Sequence, residues 1–101
     1  MVAPSLNLEF FEGDRFRKKL IPVPGLGRAV TAFLKSWPNS GELVCKDIKW
    51  VDFANGGRDY VVVFTRRAQR IGLMNIFEKQ RDAKMLRDYL DEVRKSYCEG
   101  K

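Results

Sequence analysis

In the stretch "LNLEFF", residues 6–11, Leu6, Leu8 and Phe10 fall on one side of an extended chain and Asn7 and Glu9 on the other, the alternation of a half-buried strand. "EGD", at 12–14, is turn material. "RFRKKLIPV" then reads as a returning strand, with Phe16, Lys18 and Leu20 on one face and Arg15, Arg17, Lys19 and Ile21 on the other. Pro22 and Pro24 lack amide protons, so they end that strand and suit a sheet edge. From Leu26 the period lengthens: Leu26, Val30, Phe33, Leu34 and Trp37 make one helical stripe, which Pro38 stops. "ELVCKDIKWVDF" alternates imperfectly, as a strand with a bulge or bend near Asp47 does. "ANGG" marks a hairpin turn, because Asn and Gly tolerate the positive φ of tight turns. In "RDYVVVFTRR" the unbroken run Tyr60 to Phe64 predicts a central strand with apolar groups on both faces. "IGLMNIF" follows as a further strand. From Glu78 the pattern is helical, with Ala83, Leu86, Leu90, Val93 and Tyr97 on one stripe.

These elements predict the order β-β-α-β-β-β-α, an α+β fold with a mainly antiparallel sheet and two helices packed on one face. A chain of 101 residues suffices for one core, so residues 1–101 form a single domain. If each element crosses the sheet once, the "EGD" turn, both helix C-termini and the "RRAQR" turn share one end. The "NGG" turn and both helix N-termini then share the other. That geometry gathers Arg15, Arg17 and Lys19 with Arg66, Arg67 and Arg70 into one basic end.

Charge gives this end its meaning. Nineteen Lys and Arg against thirteen Asp and Glu leave +6, which favours nucleic acid or an acidic protein as partner. Five of the six gathered cations are arginine, whose planar fork holds phosphate oxygens in a bidentate way. The same residues also suit a plain structural role, since cations stabilise helix C-termini and protect hairpin tips. A second surface follows from the sheet: with both helices on one face, Trp50, Tyr60, Val62 and Phe64 mark an open apolar face for a homodimer or a larger protein.

Catalytic chemistry finds no footing. Histidine is absent, removing the commonest acid–base group and the commonest zinc ligand. Asp47, Asp52 and Asp59 have no spacing that pairs them with a nucleophile, a second carboxylate or a metal ligand, so no metal or cofactor is expected. "PVPGLGRAV" lacks the GxxxxGK[ST] spacing of a phosphate loop. Cys45 and Cys98, far apart and outside any CxxC, read as a buried thiol and an exposed one instead of a disulfide. No stretch has the apolar length of a signal peptide or membrane span. Together these point to an intracellular, soluble (cytoplasmic), reduced protein.

No residue motif identifies a family. The helix, three strands and helix from Leu26 onward are similar in order to double-stranded RNA-binding domains and to the small Alu-binding subunits of the signal recognition particle. "EKQRDAKMLRDYL" nonetheless lacks the clustered lysines that open the second helix of the former. The expectation is therefore a non-catalytic basic module that binds RNA or DNA through phosphate contacts. Its alternative is a protein-interaction module, either a homodimer through the open sheet face or an accessory subunit or inhibitor of an acidic protein.

Overall fold

The Tyr60–Phe64 run lies in the middle strand of a five-stranded sheet in the computed structural model, which describes residues 8–99. The strands are β1 (Glu9–Glu12), β2 (Glu42–Cys45), β3 (Ile48–Asn55), β4 (Arg58–Arg67) and β5 (Arg70–Glu78), in the spatial order β1-β5-β4-β3-β2. The helices are α1 (Asp14–Leu20), α2 (Leu26–Ser36) and α3 (Ala83–Val93), the last continuing as a π-helix over Arg94–Glu99. The fold is α+β, as the sequence predicts, but its sheet is mixed and its helices are more numerous and differently placed.

The meander β2–β5 is antiparallel throughout. β1 instead pairs parallel with β5, from Glu9 opposite Arg70 to Glu12 opposite Leu73. The expected N-terminal hairpin does not exist, because "DRFRKKL" is helix α1 and not a returning strand. Phe16 and Leu20 stand four residues apart, a spacing that fits one face of a strand and one face of a helix equally. Charge separates the two: Asp14 lies in the first turn and Arg17, Lys18 and Lys19 in the last, which complements the helix dipole. Gly13 joins β1 to α1 and donates its amide to the Leu73 carbonyl at 2.8 Å, so α1 runs on along β5 beyond the end of β1. Leu6, the first residue of the predicted strand, lies outside the described residues.

The predicted bend near Asp47 is a full reversal. A tight turn at Lys46 and Asp47, with Lys46 at φ 53°, divides the expected strand into β2 and β3. The "NGG" turn is as expected, with Gly56 and Gly57 at φ 62° and 79°. At the arginine-rich turn Ala68 takes φ 54°, and Arg67 and Arg70 face each other across it.

Both sheet faces are covered, which explains the two-sided run in β4. Tyr60, Val62 and Phe64 pack with Val51, Phe53, Ile71 and Leu73 beneath Phe16 of α1 and Leu26, Val30 and Leu34 of α2. Val63 packs on the opposite side with Ile48 and Phe77 beneath Tyr89 and Val93 of α3. The helices therefore lie on two faces and not on one. At about 1.5–3 kcal/mol per fully buried large side chain, each face contributes substantially, and neither is dispensable.

The cysteines also correct the sequence reading. Cys45 at the end of edge strand β2 and Cys98 in the π-helical segment form a disulfide, with Cα atoms 5.9 Å apart. A chain separation of 53 residues hides a pair that the return of α3 over β2 brings together. The thiol-based argument for a reducing compartment accordingly no longer holds.

Candidate nucleic-acid interface

The β4–β5 hairpin projects Arg66, Arg67 and Arg70 at one end of the sheet, where the turn of β2–β3 and the C-terminal end of α2 also arrive. Arg66 follows Tyr60, Val62 and Phe64 in the alternation and so emerges on the α2 side. There its Nη1 donates to Asn39 Oδ1 at 3.2 Å and its Nε to the Ala68 carbonyl at 3.1 Å. Both acceptors are neutral, so its charge is undiminished. Its own amide donates to the Asp47 carbonyl at 2.8 Å, which ties the hairpin to the β2–β3 turn. Exposed Trp37 stands in the same α2–β2 loop as Asn39.

Arg67 and Arg70 emerge on the α3 side. Arg67 Nε donates to Asp47 Oδ2, and that hydrogen bond holds the Asp47 carboxyl below its ordinary value. Arg70 Nε lies 3.6 Å from Glu9 Oε1. Lys46, beside Asp47 in the turn, makes no ion pair among the described residues. Four cations thus meet two carboxylates. Both guanidinium groups are largely solvated and water screens their pairing, so a phosphate can take the carboxylate's place.

One row further from the tip, the register sets Phe11, Gly72, Thr65 and Ile48 side by side across β1, β5, β4 and β3. Phe10 enters the α2-side core, so Phe11 faces the α3 side, where it is 55% exposed. Gly72 leaves this row without a side chain beside Phe11; a Cβ there would lie 2.7 Å from Thr65 Oγ1. Tyr97, 53% exposed, closes the other side, sharing a cavity of about 400 Å³ with Lys46, Thr65, Arg67 and Met74. Two open aromatic rings therefore flank a low strip whose rim carries guanidinium and ammonium groups.

Of the other cations expected at this end, Lys19 is elsewhere, and Arg15 and Arg17 are each engaged by a carboxylate. Arg15 pairs with Glu92 at 3.5 Å and lies 5.6 Å from the Tyr89 ring centroid. Arg17 lies 3.8 Å from Glu12 Oε1. Lys19 Nζ stands 3.5 Å over the Phe77 ring, seven residues along β5 from Arg70, a distance of roughly 23 Å at strand rise. The strand expected to carry Arg15, Arg17 and Lys19 to the hairpin is thus corrected to α1, which leaves Lys19 far along β5 while Arg15 lines a cavity with Met74 and Tyr97. The open apolar face is corrected too: Tyr60, Val62 and Phe64 are buried under α1 and α2, and Trp50 is half-buried on the opposite face.

Lys46, Phe11 and Tyr97 were not singled out as site residues by sequence reasoning. Phe11 carried a signal, since an aromatic group breaks the polar side of the "LNLEFF" alternation. Among the described residues no group of three His, Cys, Asp or Glu side chains could hold a metal ion, and no helix is long and apolar enough to cross a membrane. No protein-family model matches the chain, and no curated protein matches its sequence.

Proposed function

We propose that the protein is a non-catalytic module that binds single-stranded nucleic acid, RNA before DNA, at the β4–β5 hairpin end. One observation carries the reading: on the α3 side of the hairpin end, Lys46, Arg67 and Arg70 border a strip that Gly72 keeps low and that the exposed rings of Phe11 and Tyr97 flank, with Arg66 adding a fourth cation on the other side of the same end. Phosphates take the cations and bases stack on the rings, the combination used by single-strand binders that read little sequence. Accessible bases favour a single strand over a duplex, whose bases are stacked inward. An acidic protein would answer the same charge but has no need of the two rings.

Fluorescence anisotropy with a labelled single-stranded RNA, its DNA counterpart and a duplex tests the reading at two salt concentrations. The single strands bind and the affinity falls as salt rises. Phe11→Ala and Tyr97→Ala each cost about 1–3 kcal/mol of binding energy, or about 5- to 160-fold in affinity. Equal affinity for the duplex together with indifference to both substitutions contradicts the stacking role. Absence of binding at low salt contradicts the whole reading.

A further inference from the structure

At the far side of α1 the chain builds a second polar site that the nucleic-acid reading does not use. α1 and α3 diverge across the outer part of β5 and leave a groove of about 420 Å³, within the range of small-molecule sites. Phe77 and Tyr89 form its floor and Met85, 56% exposed, its apolar rim. A second cavity of about 470 Å³ shares Lys18, Lys19, Phe77 and Met85 and extends the groove toward Tyr60 and Ile76.

Charge divides the groove into two walls. Lys18 and Lys19 stand on the α1 side, and Asp88 and Glu92 on the α3 side. Most neighbouring charges are already matched: Arg15 with Glu92, Arg58 with Glu78, and Arg81 with both Glu78 and Asp82. Neither Lys18 nor Lys19 has an ion pair among the described residues. Lys19 is the half-buried one, its ammonium resting on the face of Phe77. Burial lowers its pKa, against the pull of the Asp82 carboxylate and with the help of the Arg15 and Arg81 charges. A partly desolvated cation on an aromatic floor, without an ion pair among the described residues, leaves room for an anion.

We propose that this groove binds a small amphipathic monoanion, an aromatic or aliphatic carboxylate, with its apolar body on Phe77 and Met85 and its carboxylate on the Lys19 ammonium. The acidic α3 wall selects for single charge, since a phosphate dianion or a nucleic-acid strand meets Asp88 and Glu92 at close quarters. The carboxylate completes the charge that Lys19 leaves open, and the ring or chain covers the apolar area that Met85 and Phe77 expose. This site shares no residue with the hairpin interface, so either reading stands or falls alone.

2-Naphthoate is the probe and 2-naphthalenemethanol its uncharged counterpart, each titrated into the isotope-labelled 101-residue chain and followed by NMR. Naphthoate shifts the resonances of Lys19, Phe77, Met85 and Tyr89 together and binds at least about tenfold tighter than the alcohol, as a charge-assisted contact requires. Lys19→Met keeps the aliphatic stem over Phe77 and removes the charge; it abolishes the preference for the acid while oligonucleotide affinity is unchanged. Three results overturn the proposal: no shifts at millimolar probe, shifts confined to other parts of the fold, or equal binding of acid and alcohol by the wild-type chain. Retention of the acid preference in Lys19→Met overturns it as well, and the wild-type comparison stands without any variant.

Discussion

Reduction of the Cys45–Cys98 bridge is a perturbation with a large expected effect on stability. The bond closes a loop with a sequence separation of 53, and in the chain-entropy treatment a cross-link of that span removes about 4 kcal/mol of unfolded-state freedom. The native state has little means of compensating. β2 is a four-residue edge strand paired on one side only, and the π-helical segment buries none of its residues, so the bridge is the strongest tie between the two. Urea unfolding followed by fluorescence, with and without a phosphine reductant, measures the difference. With m of about 1–3 kcal/mol/M, 4 kcal/mol moves the midpoint by about 1–4 M. The Cys45→Ser, Cys98→Ser double variant unfolds with the reduced wild type and does not respond to reductant. Tyr97 adjoins Cys98, so reduction also weakens oligonucleotide binding. Coincident midpoints in the two conditions, or two free thiols titrating in the denatured protein before any reductant is added, refute the reasoning.

Phe16 is fully buried where α1 meets the α2-side core, so Phe16→Ala costs about 3–5 kcal/mol in urea unfolding; a loss below 1 kcal/mol would mean that α1 does not dock there. Gly72→Ala brings a methyl group against Thr65 Oγ1, and a double-mutant cycle with Thr65→Ala recovers about 0.5–3 kcal/mol of coupling, whereas additive losses contradict the contact. Asp47 titrates below its ordinary value of 3.8 because Arg67 donates to its carboxylate. A depressed folded pKa means that the pair's stabilising contribution is complete above the ordinary value and is lost as pH falls through the folded one. NMR titration shows the Asp47 midpoint rising in Arg67→Ala; an unmoved midpoint dismisses the pair.

The antiparallel meander from Glu42 to Glu78 was largely legible, because β4 carries a long apolar run and both glycines of the "NGG" turn occupy positive φ. Counting directions along the chain also placed the C-terminal ends of α2 and α3 correctly at the arginine hairpin. The N-terminal third was not legible in the same way. Phe16 and Leu20 satisfy two periodicities at once, and a parallel partner for β1 leaves no local mark, since the pairing joins Glu9 to Arg70 across most of the chain. That misassignment carried Lys19 to the wrong end, while the open sheet face came from packing the other two helices on one side, whereas α2 and α3 lie on opposite faces. The placement of Arg66, Arg67 and Arg70 together did not depend on that misassignment, since they belong to one hairpin whose turn the sequence marks clearly. The aromatic half of the candidate site required tertiary register, which alone sets Phe11 beside Gly72 and returns Tyr97 over Thr65.

The salt dependence of single-stranded RNA binding, compared between two charge-removal variants, tests the proposed interface most directly. Each phosphate contact contributes about 0.7 to the slope of log affinity against log salt for a single strand. Replacing Lys46, Arg66 and Arg70 with glutamine lowers the slope by about two, whereas replacing Lys18, Lys19 and Arg58, which lie together at the other end of β5, leaves it unchanged. An unaltered slope in the first variant, or an equal fall in the second, contradicts the assignment of phosphate binding to the hairpin end.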